Sequence, residues 1–222
     1  EIDTLRLLTV AFGMYGSNSK NYGDGFTTMY GANHEDIAYS YRTGNHGDGS
    51  WYSINGNIDY QRTSRKNKQR MITFSYKINT QPQTSNSNTG YEDIHAKEEV
   101  DDLVKRLLLK NSQSDGKTNT MEQTFQVDYT TPIGELHTVE AGAKYIFRRN
   151  TSDNKLYEAA GGSDDYLYNE DRSSDYRHLN HILAAYLGYT LKYKDFTFKP
   201  GVRYEQTVQR VKYIVGPGEN FH

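Results

Sequence analysis

The stretch Leu183-Ala-Ala-Tyr-Leu-Gly-Tyr-Thr-Leu-Lys-Tyr-Lys-Asp-Phe-Thr-Phe-Lys-Pro-Gly-Val-Arg-Tyr-Glu205 decides the fold. If Lys194-Asp195 turns the chain, Tyr193 meets Phe196, Leu191 meets Phe198, Leu187 meets Val202 and Ala185 meets Tyr204. On the other face Lys192 meets Thr197, Thr190 meets Lys199, Tyr186 meets Arg203 and Ala184 meets Glu205. Apolar pairs with apolar along the whole hairpin, so a single register serves both faces. Gly188 meets Gly201 on the polar side, and the neighbouring Tyr186 ring is expected to cover them. Two features sit badly with an ideal hairpin. Lys-Asp is not a favoured two-residue turn, and Pro200 forfeits a ladder hydrogen bond, which points to a local bulge.

The same period of two recurs outward from this hairpin. Val139, Ala141, Ala143, Tyr145 and Phe147 oppose Thr138, Glu140, Lys144 and Arg148. Phe125, Val127 and Tyr129 oppose Thr124, Gln126 and Asp128. Ile72, Phe74, Tyr76 and Ile78 oppose Thr73, Ser75 and Lys77, and Tyr52, Ile54, Ile58 and Tyr60 oppose Ser53, Asn55, Asn57 and Asp59. A less regular strand is expected from about Ile2 to Tyr15, with a short extra one near Asp36 to Arg42.

Connections alternate in length. Thr63–Gln69, Pro132–Leu136 and Lys194–Asp195 are short. Gly16–Ser50, Gln81–Asn119 and Asn150–Arg177 are long and rich in Ser, Asn, Asp and Gly, so they read as loops. That alternation is the pattern of an up-and-down transmembrane barrel with tight periplasmic turns and long extracellular loops. Within Gln81–Asn119, Val100, Leu103, Val104, Leu107 and Leu108 form an apolar stripe at helical spacing, which predicts a helix over Lys97–Lys110. It is expected either to gate the barrel mouth or to pack on its own barrel.

Composition agrees with a membrane. The 222 residues include 20 Tyr and 19 Gly, while only 35% are hydrophobic. Few aliphatics make a soluble core hard to build, whereas Tyr suits a membrane–water interface. An aromatic share of 13% argues against disorder. A spanning strand needs only about 9–11 residues, half of which face away from lipid. The net charge of -2 gives no basic field for nucleic acid, and the absence of Cys removes disulfides and thiolate chemistry. No signal peptide opens the sequence at Glu1, so it has been removed or the chain begins within a longer protein.

Alternation alone leaves two orientations open. In a barrel, Val139, Ala141, Ala143, Tyr145, Leu187, Tyr189 and Val202 face lipid. Asp128, Glu140, Lys144, Tyr186, Arg203 and Glu205 then face the lumen, which tolerates charge. In a soluble β-sandwich the apolar face is instead the core.

The segment Gln126-Val-Asp-Tyr-Thr-Thr-Pro-Ile-Gly-Glu-Leu-His-Thr-Val-Glu-Ala-Gly-Ala-Lys-Tyr145 resembles the outer-membrane β-barrel family of Bacteroidetes TonB-dependent receptors. Ala184-Ala-Tyr-Leu-Gly-Tyr189 and Phe196-Thr-Phe-Lys-Pro-Gly-Val-Arg-Tyr-Glu-Gln-Thr207 are similar to the next hairpin of that family. The resemblance implies a Gram-negative outer-membrane barrel of about 22 strands around an N-terminal plug. Roughly seven to eight of those strands are expected here. It further implies that residues 1–222 are a partial barrel domain without plug or TonB-contact segment, and that Gly216–His222 leads towards a further strand. The expected partners are outer-membrane lipid, TonB through the absent N-terminal part, and a small-molecule, glycan or siderophore-like substrate.

Other motifs carry less. His178 and His181 lie three apart, so on a strand they point to opposite faces and make a poor zinc pair. Gly23-Asp-Gly25 and Gly47-Asp-Gly49 lack a calcium ligand ladder. Asn150-Thr-Ser152 is a formal glycosylation triplet, and Asp164-Asp165 and Glu170-Asp171 read as solvated loop charges. No nucleophile elbow, phosphate loop or zinc-protease motif occurs. No enzyme, cofactor or metal is therefore expected. Energy-coupled uptake is the leading expectation. A soluble sandwich that binds glycans and a non-transporting outer-membrane adhesin or scaffold are the alternatives.

Overall fold

A computed structural model describes residues 3–32, 35–105, 109–216 and 218–221. The chain forms β1 (Arg6–Tyr30), β2 (Ile37–Thr63), β3 (Met71–Ala96), α1 (Asp101–Leu103), β4 (Lys110–Ile133), β5 (His137–Ala160), β6 (Leu167–Tyr168), β7 (Ser174–Tyr193), β8 (Phe196–Phe198) and β9 (Gly201–Val215). They build one antiparallel sheet in the order β1-β2-β3-β4-β5-β7, with β8 and β9 successively on β7 and the short β6 on β5. Each long strand pairs with its sequence neighbour, which is up-and-down topology. The described residues form this one sheet and not the two packed sheets of a sandwich.

The decisive hairpin has the register its side chains demand. Tyr193 faces Phe196 and Leu191 faces Phe198, while Leu187 faces Val202, Ala185 faces Tyr204 and Gly188 faces Gly201. Lys194 takes the left-handed conformation that the tight turn requires, with φ 52°. The expected bulge at Pro200 does not form. Strand pairing lapses at Lys199–Pro200, yet the register is the same on both sides. The Pro200 carbonyl still accepts from Tyr189 N at 3.0 Å, so only its missing N–H is lost. The register shift in this pair lies between Asp175 and Tyr176 instead.

Three further expectations are corrected. Most of each long segment, 16–50, 81–119 and 150–177, continues the strands, which run to 25, 27, 26, 24 and 24 residues in β1 to β5, and leaves the connections 31–36, 97–109 and 161–173. Their polar side chains pair across the ladder. The Ser50 and Thr84 hydroxyls lie 2.8 Å apart, Thr89 Oγ1 donates to Asn45 Oδ1 at 2.9 Å, and Asn86 Nδ2 donates to Asp48 Oδ2 at 3.2 Å. The proposed short strand near Asp36 to Arg42 is simply the start of β2. Of the helix expected over Lys97–Lys110, the described residues form α1 at Asp101–Leu103, while Lys97–Val100 precede it outside any helix. Leu109 N then donates to the Val104 carbonyl at 2.8 Å, a wide turn that lets Lys105 O accept from Gly161 N at 2.9 Å. Val104 and Leu109 are buried against this connection, so the loop packs on its own sheet. Leu107 and Leu108, the rest of the proposed stripe, lie outside the described residues, as do Ile2, Pro217 and His222.

Candidate functional site: the two faces of the wall

Unbroken registers sort the side chains of the sheet onto two faces. Val139, Ala141, Ala143 and Tyr145 of β5 share one face with Leu187 and Tyr189 of β7 and Val202 of β9. Asp128 of β4, Glu140 and Lys144 of β5, Tyr186 of β7 and Arg203 and Glu205 of β9 share the other. The grouping is the one the alternation predicts.

Burial reverses the pattern of a soluble protein. Large apolar side chains are exposed on the apolar face, for example Phe12 at 74% and Val202 at 67%. The polar face holds the buried ones, among them Ser53, Thr124, Ser152, Asn180 and Thr190. A soluble sheet buries its apolar face because water penalises exposed hydrocarbon. Here small polar groups crowd together while Leu, Val and Phe point outward. The apolar band runs from Leu191 and Phe198 to Met14, Ile54 and Leu179. Beyond it Ser, Thr, Asn, Asp and Gly predominate on both faces, with isolated aromatics such as Tyr22, Phe26 and Trp51 among them. Polar side chains within the band are paired with tyrosines on the same face: Tyr76 Oη donates to Gln123 Oε1 at 3.2 Å, and Tyr145 Oη lies 2.7 Å from His181 Nδ1.

The polar face carries a charge network. Asp128, Gly142, Tyr186 and Arg203 stand in one row across four strands. Tyr186 leans over Gly142 and its hydroxyl bonds Asp128, while Gln126 Nε2 donates to the other Asp128 oxygen at 2.8 Å. This corrects the expected partner of Tyr186. Its ring covers Gly142, and a Cβ at Gly188 would instead meet Glu140. Glu140 pairs with Lys199 at 3.0 Å, Arg203 with Glu205 at 2.7 Å, and Arg148 with Glu122 at 2.5 Å. Lys144 lines a polar cavity of about 520 Å³ with Lys77, Glu122, Thr124 and Gln126. The two histidines of the 178–181 motif lie on opposite faces: His178 is opposite Asn150 and His181 opposite Phe147. Buried Asn150 Oδ1, His178 Nε2 and Asn180 Oδ1 have no hydrogen-bond partner among the described residues.

Two clusters on the polar face escaped the sequence reading. At the far end of β5, Glu158 accepts from Asn169 Nδ2 at 2.7 Å and Arg172 Nη1 at 2.5 Å, with Lys110 Nζ 3.7 Å away. Its side chain is only 11% exposed. The Asn169 hydrogen bond first, then Lys110 and Arg172, hold its carboxyl below the usual glutamate range. The second cluster is aromatic. Tyr15 and Trp51 meet edge to face with ring centroids 5.7 Å apart. Both have the parity of the polar face, and both rings are largely exposed. Alternation with charged neighbours would have flagged the first cluster; an aromatic out of step with its apolar stripe would have flagged the second.

These features define a class, the wall of a transmembrane β-barrel. Residues 62–220 match the outer membrane protein beta-barrel family, and the chain belongs to that family and resides in the outer membrane. The fold search matches the ferric citrate transporter FecA, solved in its unliganded form, at 12% identity and a TM-score of 0.32. That match covers 95% of this chain and 39% of the transporter chain, so this chain spans about two fifths of that protein's length. No curated protein matches the chain.

Proposed function

We propose that this chain forms wall strands and the extracellular rim of a TonB-dependent outer-membrane transporter for energy-coupled uptake. The observation that carries the reading is the inverted burial: exposed Phe12, Leu187 and Val202 on one face, crowded Ser53, Thr124 and Asn180 on the other. The apolar face then meets lipid, with Val139, Ala141, Ala143, Tyr145, Leu187, Tyr189 and Val202 in the hydrocarbon. Asp128, Glu140, Lys144, Tyr186, Arg203 and Glu205 line the lumen, where water or a plug solvates charge. The tight connections at 134–136 and 194–195 lie in the periplasm and the polar strand extensions outside the cell. Asp128, Lys144 and their neighbours serve passage rather than catalysis. The edges of β1 and β9 have no strand partner among the described residues, and lipid offers none. This supports a larger barrel, with further strands elsewhere in the protein.

The Cys-free chain makes the test direct. Single cysteines at Ala141, Ala143 and Leu187 of the full-length protein in outer membranes should resist a water-soluble maleimide and react with a lipid-soluble one. Cysteines at Lys144 and Glu205 should do the reverse. In-cell crosslinking to TonB tests the coupling. Correct labelling without a TonB crosslink leaves a passive or adhesive barrel; inverted labelling defeats the wall itself.

A further inference from the structure

We infer that the lumen at the outer edge of the apolar band holds a binding site for an uncharged oligosaccharide, centred on Trp51 and Tyr15. The inference rests on the lumen assignment proposed above. One row of residues crosses six strands on the polar face at this level. It runs Ser17–Trp51–Gln83–Thr118–Ser152–Tyr176, and Tyr213 of β9 continues it on a seventh strand. Near one end Trp51 packs on Tyr15 of the adjoining row, and at the other end Tyr176 packs on Tyr213, each pair at a centroid distance of 5.7 Å. Between them stand an amide and two hydroxyls, and the row contains no charged side chain. At the usual strand spacing of about 4.8 Å, Trp51 and Tyr176 lie roughly 19 Å apart along the sheet.

That arrangement selects a ligand chemistry. A pyranose ring presents C–H groups on its faces and hydroxyls around its rim. The C–H groups carry slight positive charge and suit the electron-rich face of an indole or phenol ring. The hydroxyls both donate and accept, as do the exposed Gln83 and Thr118. An anionic chelate would demand Arg or Lys, which the row does not offer. A long apolar ligand would leave its amide and hydroxyl groups unpaired.

The geometry leaves room for a ligand. A cavity of about 220 Å³ is lined by residues including Tyr15, Trp51, Ser53, Gln83, Thr118 and Thr120. It lies beside a gap in the ladder: β2–β3 pairing lapses between Trp51–Gln83 and Ile54–Thr80, where Pro82 has no N–H to give. The next row outward, Ser19–Gly49–Ser85–Gly116–Asn154–Ser174, carries only small or amide side chains. It places no bulky side chain beside Trp51, which is 45% exposed, on the side of the barrel mouth.

The experiment is calorimetric titration of the full-length protein, purified from outer membranes in detergent, with maltohexaose, cellohexaose and xylohexaose. Ferric citrate serves as the charged comparison. At least one oligosaccharide should bind, and it should change the fluorescence difference spectrum between wild type and Trp51→Phe. Trp51→Ala should weaken that binding about tenfold or more, equivalent to at least about 1.4 kcal/mol. Trp51→Phe, which keeps a π-face, should stay within severalfold, and Gln83→Ala should fall between. Unchanged heat-modifiable gel mobility shows that each variant is folded. Absence of binding by all three sugars, or wild-type binding by folded Trp51→Ala, overturns the site. If cysteine labelling and the TonB crosslink persist in that event, the transporter reading stands and only the sugar site falls.

Discussion

At the residue scale, neighbouring positions on β5 separate the two faces. Ala143 lies on the apolar face in register with Val127 and Ala185, and Lys144 lies on the polar face between Gln126 and Ala184. An Arg at the lipid midplane costs about 2–4 kcal/mol, whereas a solvated or loosely paired charge contributes roughly 0–1 kcal/mol. Ala143→Arg should therefore lower the urea midpoint of the full-length protein in micelles by an amount of the first order, and Lys144→Gln should barely move it. The opposite ranking would place the apolar face inside a core. Gly142 is a second sensitive position, because any Cβ there runs into the Tyr186 ring. Gly142→Ala should destabilise by about 1–3 kcal/mol, the usual cost of overpacking. The loss should shrink in a Tyr186→Ser background, since residues in contact are non-additive. Equal losses in both backgrounds would show that the ring does not press on residue 142.

At the element scale, the rim is built of strands joined by short connections. Residues 83–89 are laddered on both sides by β2 and β4, and residues 112–119 by β3 and β5. Trypsin added to intact cells should cut at Lys97 or Lys105, or at Arg172, and spare Lys117 and the opposite turn at Arg65 and Lys66. Rapid cleavage at Lys117 would mean that these strands do not persist beyond the membrane. The 161–173 connection is tied down by Glu158, which grips Asn169 and Arg172. The folded-state pKa of this carboxyl is depressed, so its stabilisation is present above the unfolded value of about 4.3. It is lost as pH falls through the lower folded value. Hydrogen exchange at 161–173 should accordingly rise below about pH 4. Glu158→Gln should show the faster exchange already at neutral pH and lose the acid step.

At the scale of the whole molecule, the sheet presents an exposed apolar face and, among the described residues, two edges without a strand partner apart from the Val211–Phe221 bridge. Among the described residues the buried apolar side chains amount to Val104, Leu109, Ala159, Ala184 and Val211, far too few to fold a domain of this size in water. Expressed alone, the chain should aggregate or require detergent, as judged by sedimentation and by the far-UV circular dichroism of the soluble fraction. A soluble monomer with a cooperative melt would contradict both the membrane wall and the larger barrel.

How much was legible depends on what each face touches. Where one face meets hydrocarbon and the other does not, side-chain polarity must alternate, and a slip of one residue would reverse every contact. The sequence by itself therefore determined the register of the 183–205 hairpin, the grouping of Ala143 with Leu187 and of Lys144 with Glu205, and the outer-membrane class. Beyond the apolar band no solvent difference separates the faces. Polar residues such as Asn45, Asp48 and Thr84 then serve a strand as well as a loop, and composition cannot tell the two apart. Only the tertiary structure decided that these segments are strands, because a ladder hydrogen bond depends on the neighbouring strand and not on the side chain. It also decided the reach of Tyr186 over Gly142 to Asp128, the grip of Glu158 on its loop and the level at which Trp51 and Tyr176 face each other. Each joins residues far apart in the chain, and their meeting is set by strand order and register together.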